Sequence, residues 1–423
     1  MGAIDERVRT AWTRGADPEI SGEEVRRRFA WARRQGRPAW LWPEVSIAAW
    51  RDALERIGAV TSQVLAGEVA ETLDGDAEAI GLAGYTSGMG PLLGHWLEQG
   101  RIGASDEAAR LLARHLAHNR LRSARMAAAA SGVVGRLIRA RITVLVLKGA
   151  HTGPAYFPEP GARPASDIDL LVAAPDMALA EAELMRSGFE LKGRGRWESS
   201  WRHPGSSAVP RSLTYVHADD PWSVDLHGSL NISAGDGGPV ADLDLGEPMA
   251  GAGCWPADPS ARVLEQPLLL LHLAAHAGAG WQNLTLLRLV ELVLVIRRDA
   301  AAGLLDWDAF LGVGGRSGAL AYAYPALRLA ETLSPGTVPD AVLGACARRA
   351  PPAARRIALG LSPATAQRVD RSSLAEHFMW TSGWRAWLRQ MAGDILPGVR
   401  TWPELAGIYE ERAWRLIRGR VSQ

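Results

Sequence analysis

Cysteine is nearly absent from this chain: 423 residues carry two, Cys254 and Cys346. Two cysteines build neither a disulfide framework nor a Cys-rich zinc site. Lysine is just as scarce, with only Lys148 and Lys192, so 45 of the 47 basic side chains are arginine. A lysine that survives in such a chain is informative, because a compact ammonium does what a planar guanidinium cannot. Neither sign of charge prevails. The 47 basic and 46 acidic residues leave a formal net charge of +1, which excludes a large basic nucleic-acid footprint at the level of composition. No run of ~18 apolar residues is free of charge or histidine, so no membrane span is expected. Residues 1–15 contain no apolar h-region, and Glu6 stands where a myristoylation signal needs Ser or Thr. The expected compartment is the cytoplasm.

What is present is ordinary globular usage. Hydrophobic residues at 47% and charged residues at 22% rule out a mostly disordered chain and allow a sizeable core. At ~150 residues per domain the length suggests two or three domains. Periodicity suggests three regions: an N-terminal helical region over 1–104, an α/β core with a preceding long helix over 105–257, and a C-terminal helical domain over 258–423. In the first, Ser21 followed by Glu23 and Glu24 has the form of a helix start, and Val45 to Leu65 carries apolar residues at helical spacing. Ser105, with Asp106 and Glu107 behind it, is the expected N-cap of a helix running almost to Arg141, with a break near Gly132. Strands are expected at 142–147, 167–172, 213–217 and 222–227, with helices at 150–156 and 175–187. The Gly/Pro/Asp-rich stretch to Pro259 reads as loop. Helices are expected again at 264–277, 281–298, 307–313, 318–333 and 338–349, and through the last seventy residues.

The sharpest feature is Asp167-Ile168-Asp169. Residues i and i+2 of a strand point to the same face, so both carboxylates project one way while Ile168, Leu170 and Val172 project into a core. Two carboxylates so close repel unless a cation sits between them, and hard oxygen ligands suit Mg²⁺ or Mn²⁺. Asp225 lies in a second run of strand character, and a neighbouring strand would make it a third carboxylate. Three such acids can hold two ions that clamp an in-line phosphoryl displacement. Lys148 ends a buried strand beside Gly149; it is either a point-charge contact to phosphate or a solvated strand-end lysine. Arg163 is either a phosphate contact or a loop arginine paired with Glu159 or Asp167. His227 shares the strand face of Asp225, where it orients a carboxylate, acts as a base, contacts the acceptor or makes a structural hydrogen bond.

These residues carry a resemblance. Leu147-Lys148-Gly149, then residues 163–172 (RPASDIDLLV), then Val224-Asp225-Leu226-His227, resemble in this order the uncharacterised nucleotidyltransferase family of the DNA polymerase β-like nucleotidyltransferase superfamily. The later segment with His272, His276, Trp281 and Leu286-Leu287-Arg288 is similar to the region after the core in that family. The resemblance implies an α+β fold, a small mixed-sheet nucleotidyltransferase core flanked by N-terminal and C-terminal helical regions. It implies Asp167, Asp169 and Asp225 as the catalytic, metal-binding acids. It implies that Gly149 matches the glycine that lets backbone approach the triphosphate, and the expected nucleotide- or phosphate-binding residues are Lys148, Gly149, Arg163, Ser166 and His227. The cofactor would be Mg²⁺ or Mn²⁺ and the co-substrate an NTP, with ATP expected. Two departures stand out. Ala150 occupies the place of the superfamily's usual serine, and the gap from Gly149 to Asp167 is longer than usual. A peptide or small-molecule acceptor fits better than nucleic acid. The alternatives are a catalytically silent nucleotide- or partner-binding protein on the same fold, and a phosphotransferase using the γ-phosphate.

Other motifs weigh less. His272 and His276 stand i, i+4 on a helix, but the glutamate of a zinc-protease motif is missing between them. Residues 225–231 superficially resemble the catalytic loop of aminoglycoside-type kinases. That loop needs a downstream acid motif, whereas the acid pair here lies upstream. Trp380, Trp384 and Trp387 form one helical stripe near several arginines, the pattern of a core stripe with a basic flank or of a membrane- or partner-binding helix.

Overall fold

The computed structural model describes residues 41–366 except 43, 196, 204–208, 234–239, 244–252 and 281–283, together with 23, 24, 28, 379, 380, 384, 385, 387 and 388. The expected helix start at Ser21 and most of the last seventy residues lie outside the described residues.

The helical period of the early chain becomes α1 (Ile47–Ala66), α2 (Ala77–Ser87) and α3 (Gly90–Glu98), with a two-residue parallel pair, β1 (Thr72–Leu73) and β2 (Gly103–Ala104), between their ends. Ser105 caps α4 (Asp106–Arg139), its hydroxyl accepting from the Ala108 amide. Asp106 and Glu107 in the first turn and Arg136 and Arg139 in the last match the helix dipole. The 34 residues run unbroken through Gly132, against the expected break. At 1.5 Å per residue α4 spans about 51 Å, long enough to serve two cores. Ala108 and Leu112 pack among the helices, while Met126, Ala130, Val133, Val134 and Leu137 pack on the sheet.

The central sheet has seven strands: β3 (Val144–Val146), β4 (Asp167–Val172), β5 (Glu190–Arg194), β6 (Glu198–Arg202), β7 (Ser223–His227), β10 (Gly253–Trp255) and β11 (Asp258–Val263). Their spatial order is β10-β11-β3-β4-β7-β6-β5. Pairing is mixed: β4 runs parallel to β7 and β11 to β3, and the remaining pairs are antiparallel. A separate hairpin, β8 (Asn231–Ser233) and β9 (Val240–Asp242), follows β7. This is the expected α+β class. Helices α5 (Lys148–Tyr156) and α6 (Met177–Arg186) connect the strands.

Period-two alternation sorts the central strands onto two faces. Val144, Val146, Ile168, Leu170, Val172, Val224 and Leu226 form one apolar core with α4 and α6. Leu145, Leu147 and Leu171 belong to the other core, shared with the helices. The acids therefore lie on the helical side. That side is covered by α7 (Leu268–Ala279) and α8 (Leu286–Ala301), and α9 (Trp307–Ser317), α10 (Ala319–Leu333), α11 (Asp340–Arg349) and α12 (Pro352–Leu359) complete the helical layer. Among the described residues no helix is long and apolar enough to cross a membrane.

Three further expectations are corrected. Residues 213–217 are not a strand. Asp220 accepts the backbone N–H groups of Arg211 (2.6 Å) and His217 (2.8 Å), and the Ser212 hydroxyl accepts from Thr214 and Tyr215. These local side-chain bonds outcompete the β-propensity of the Thr-Tyr-Val run. The β5–β6 hairpin arises where no strand was expected, and β8 to β10 with the start of β11 arise from the stretch expected to be loop. The last of them, β11, continues past Pro259 to Val263 and joins the sheet beside β3. Of the tryptophan stripe, Trp380 is buried against Tyr322, ring centroids 4.5 Å apart, whereas Trp384 and Trp387 are exposed.

Candidate active site

Register builds the site. β4 and β7 pair in parallel with Asp169 opposite Asp225 and Leu171 opposite His227. Asp167 shares the face of Asp169 two residues earlier. Neighbouring strands lie ~4.8 Å apart, so the sheet brings the three expected acids to one rim. β6 then lays polar partners against β7: Ser200 opposite Asp225 and Glu198 opposite His227. The Ser200 hydroxyl donates to Asp225 Oδ1 at 2.6 Å, and His227 Nδ1 lies 3.3 Å from Glu198 Oε2. The other ring nitrogen, Nε2, is 2.9 Å from Asp169 Oδ1. With both nitrogens facing carboxylates, His227 is placed to orient Asp169. The Ser166 hydroxyl donates to Asp167 Oδ2 at 3.3 Å.

β3 hands over to α5 at Lys148, whose φ of 42° is rare for a residue with a side chain. The turn brings the ammonium back over the sheet, where Nζ donates to Asp169 Oδ1 at 2.8 Å. Both bonds to Asp169 thus fall on one oxygen. Next to it, Gly149 has a packing reason to lack a side chain, since a Cβ there would overlap Arg163 Nη1. Arg163 itself is paired with neither Glu159 nor Asp167. Its Nε and Nη2 grip Glu291 of α8 at 2.8 and 3.0 Å, and Thr152 donates to the same carboxylate. Glu291 thereby fixes Arg163 with Nη1 above Gly149.

The electrostatics come from burial. Burial first, then the neighbouring Asp169 charge, pushes the Asp167 carboxyl up to about 6. Burial also opposes ionisation of Asp169, but the Lys148 ammonium and the His227 hydrogen bond outweigh it and hold that carboxyl well below the usual range. One lysine among three acids leaves the rim short of positive charge, and the donor set is hard oxygen throughout. These residues fit Mg²⁺ or Mn²⁺.

A cleft opens beside Lys148, lined also by Arg163, Leu273, His276, Arg288, Glu291 and Leu292. His276 Nδ1 and Arg288 Nη1 are 3.0 Å apart. Among the described residues, the one group of three ligand side chains converging within 4.8 Å is elsewhere: His95, Glu98 and Glu159. Arg120 pairs with both of those glutamates, at 2.7 and 2.8 Å, so that cluster already holds a cation. Of the acidic rim, Asp169 is bonded by Lys148 and His227, and Asp225 by Ser200.

Sequence reasoning missed Ser200, Glu198 and Glu291. The first two had a slight signal, Trp201 standing alone among polar residues 198–202. Glu291 had none, being one acid within an apolar helix whose partner is 128 residues away.

A family model described as "Uncharacterised nucleotidyltransferase" matches residues 85–335, more than half of the chain. The chain belongs to this nucleotidyltransferase family, in agreement with the three motifs. No curated protein and no solved structure matches it.

Proposed function

We propose that the protein transfers a nucleoside monophosphate from an NTP to a peptide or small-molecule acceptor, with pyrophosphate released and Mg²⁺ as cofactor. The observation that carries this reading is the register of β4 on β7, which sets Asp169 opposite Asp225 with Asp167 on the same face. Asp167, Asp169 and Asp225 would hold the divalent ions. Bound there, such ions supply positive charge to the reacting phosphate and lower the pKa of an attacking hydroxyl.

The remaining chemistry belongs to this chain's own residues. The α5 N-terminus presents backbone N–H groups from Lys148 onward, and no side chain caps it. Lys148 and the Nη1 edge of Arg163 flank it and neutralise phosphate charge, a role that suits them in place of the hydroxyl Ala150 lacks. The acceptor's nucleophilic oxygen or nitrogen attacks the α-phosphorus, the bond to the α–β bridging oxygen breaks, and the acceptor's proton passes to Asp225. Ser200 holds that carboxylate by Oδ1. His227 keeps Asp169 oriented. A small or peptide acceptor agrees with the near-zero net charge, which supports no phosphate-backbone partner.

The test is incubation with α-³²P- and γ-³²P-labelled ATP, Mg²⁺ and pools of peptides or small metabolites, beside Asp225→Asn. Transfer of α-label with pyrophosphate release, lost in the variant, supports the reading. Release of ADP with γ-label transferred moves the protein to phosphotransfer. Nucleotide binding without turnover leaves a silent binding protein on this fold.

A further inference from the structure

The cleft beside Lys148 contains three cations, and two are already matched: Lys148 with Asp169, and Arg163 with Glu291. Arg288 is different. Among the described residues its guanidinium makes one hydrogen bond, Nη1 to His276 Nδ1, and its other N–H groups have no protein acceptor. Glu291, Asp167 and Asp169 act on it through space only. An arginine facing a cleft with a free planar fork is suited to an oxyanion.

Its histidine neighbour is arranged to help. Because Nδ1 accepts from Arg288, the neutral His276 ring carries its proton on Nε2, which makes that edge a donor. The Lys148 charge, then burial, hold His276 well below the usual histidine range, so the ring stays neutral. One turn away on α7, the His272 ring is buried, 5.8 Å from His276 between centroids, and neither of its nitrogens has a hydrogen-bond partner. Both nitrogens of that ring are open to a water or a polar ligand. Every donor on this wall sits on α7 or α8, opposite the α5 N-terminus.

We propose that Arg288, seated by His276, binds phosphate oxygens of the nucleotide from the helical side of the cleft, opposite Lys148 and Arg163. The inference rests on the nucleotidyltransferase reading for its ligand. It supplies a contact from α8 that compensates for the hydroxyl missing at Ala150.

Inorganic tripolyphosphate is the probe, titrated calorimetrically without metal into the full chain. The wild type should bind it, and Arg288→Met should bind it roughly tenfold to a hundredfold more weakly, the range for a lost charged hydrogen-bonding partner. Arg288→Lys retains the charge but loses the fork, and should lose at least severalfold while keeping the wild-type melting temperature. ATP should weaken in parallel with tripolyphosphate, and adenosine binding should not change. A wild type indifferent to tripolyphosphate overturns the proposal, as does an Arg288→Lys protein that binds it like wild type. A folded Arg288→Met protein with unchanged affinity does so too, and would assign the arginine to an acceptor's anion. Turnover is not used in this measurement. Failure of nucleotidyl transfer therefore leaves the subsite standing, and failure of the subsite leaves transfer standing.

Discussion

Replacing Lys148 with methionine tests whether the acidic rim is a cation site. The Lys148 side chain is 15% exposed and that of Asp169 is 4% exposed, with Nζ and Oδ1 2.8 Å apart. Methionine fills much the same volume but leaves the Asp169 carboxylate beside Asp167 and Asp225 with His227 as its one remaining partner among the described residues. Breaking a buried pair by removing one partner costs ~3–5 kcal/mol, and the partial exposure of the lysine argues for the lower end, about 3 kcal/mol. With an unfolding entropy of ~2.1 cal/mol/K per residue, that lowers Tm by about 4 °C for a unit the size of residues 41–366. If the acids bind Mg²⁺, mass action returns the loss: at a concentration of 100 Kd the gain is ~2.7 kcal/mol. Calorimetry of Lys148→Met in chelator and in Mg²⁺, at matched ionic strength, should show a Tm depressed by about 4 °C and then largely restored. Lys148→Met as stable as wild type in chelator, or a depressed Tm that Mg²⁺ does not move, would refute the charge argument.

Two further outcomes are expected from the same structure. Glu291→Gln leaves the Arg163 guanidinium, 11% exposed, without its carboxylate and should lose ~3–5 kcal/mol in urea unfolding. The Arg163→Met/Glu291→Leu double variant should recover most of that, and additive losses would mean the pair is not coupled. Acid should also loosen the fold through buried histidines. Burial, with a smaller push from Arg114, holds His115 at about 3. Burial likewise holds His151 at about 4, and burial with the Lys148 charge holds His272 at about 3. These rings stay neutral in the folded chain while the unfolded chain protonates them near pH 6.5. Their contribution is therefore complete above ~6.5 and is lost as pH falls towards 4, by up to ~1.4 kcal/mol per pH unit for each ring. Urea midpoints from pH 7.5 to 5.0 should fall accordingly, and a flat profile would contradict the burial of the three rings.

The acids were legible because their geometry is local. Asp167 and Asp169 sit at period two inside an apolar run, and that alone puts them on one face with Ile168 and Leu170 on the other. Helix α4 was legible for a similar reason: Ser105 and the acids behind it mark its start within a few residues. The pairing of β4 with β7 was not legible, because it joins residues 56 apart (Asp169 and Asp225) across a crossover that includes a hairpin. That hairpin escaped notice because β5 is an edge strand with every residue exposed, so it carries no hydrophobic period. Residues 213–217 misled in the opposite sense, since β-branched and aromatic side chains there are held in turns by Asp220 and Ser212. Tertiary ion pairs such as Arg163 with Glu291 leave no local trace at all.

The asymmetry of the sheet explains why the helical region after it belongs to the site. One face of β3, β4 and β7 is closed by hydrocarbon and needs nothing polar. The other carries Asp167, Asp169, Asp225 and His227 in the same rows that supply Leu145, Leu147 and Leu171 to the helical core, so charge and packing share one surface. A wholly apolar cover would bury those acids against hydrocarbon, at a large desolvation penalty. The cover provided is mixed. α7 and α8 contribute leucines to the core, and at the rim they turn His276, Arg288 and Glu291 towards the β3–α5 turn. Glu291 then holds Arg163, and Arg163 in turn requires glycine at 149. The residue that follows Lys148 is therefore constrained by an acid on a helix far along the chain. That chain of contacts makes the sheet and the helices one functional unit.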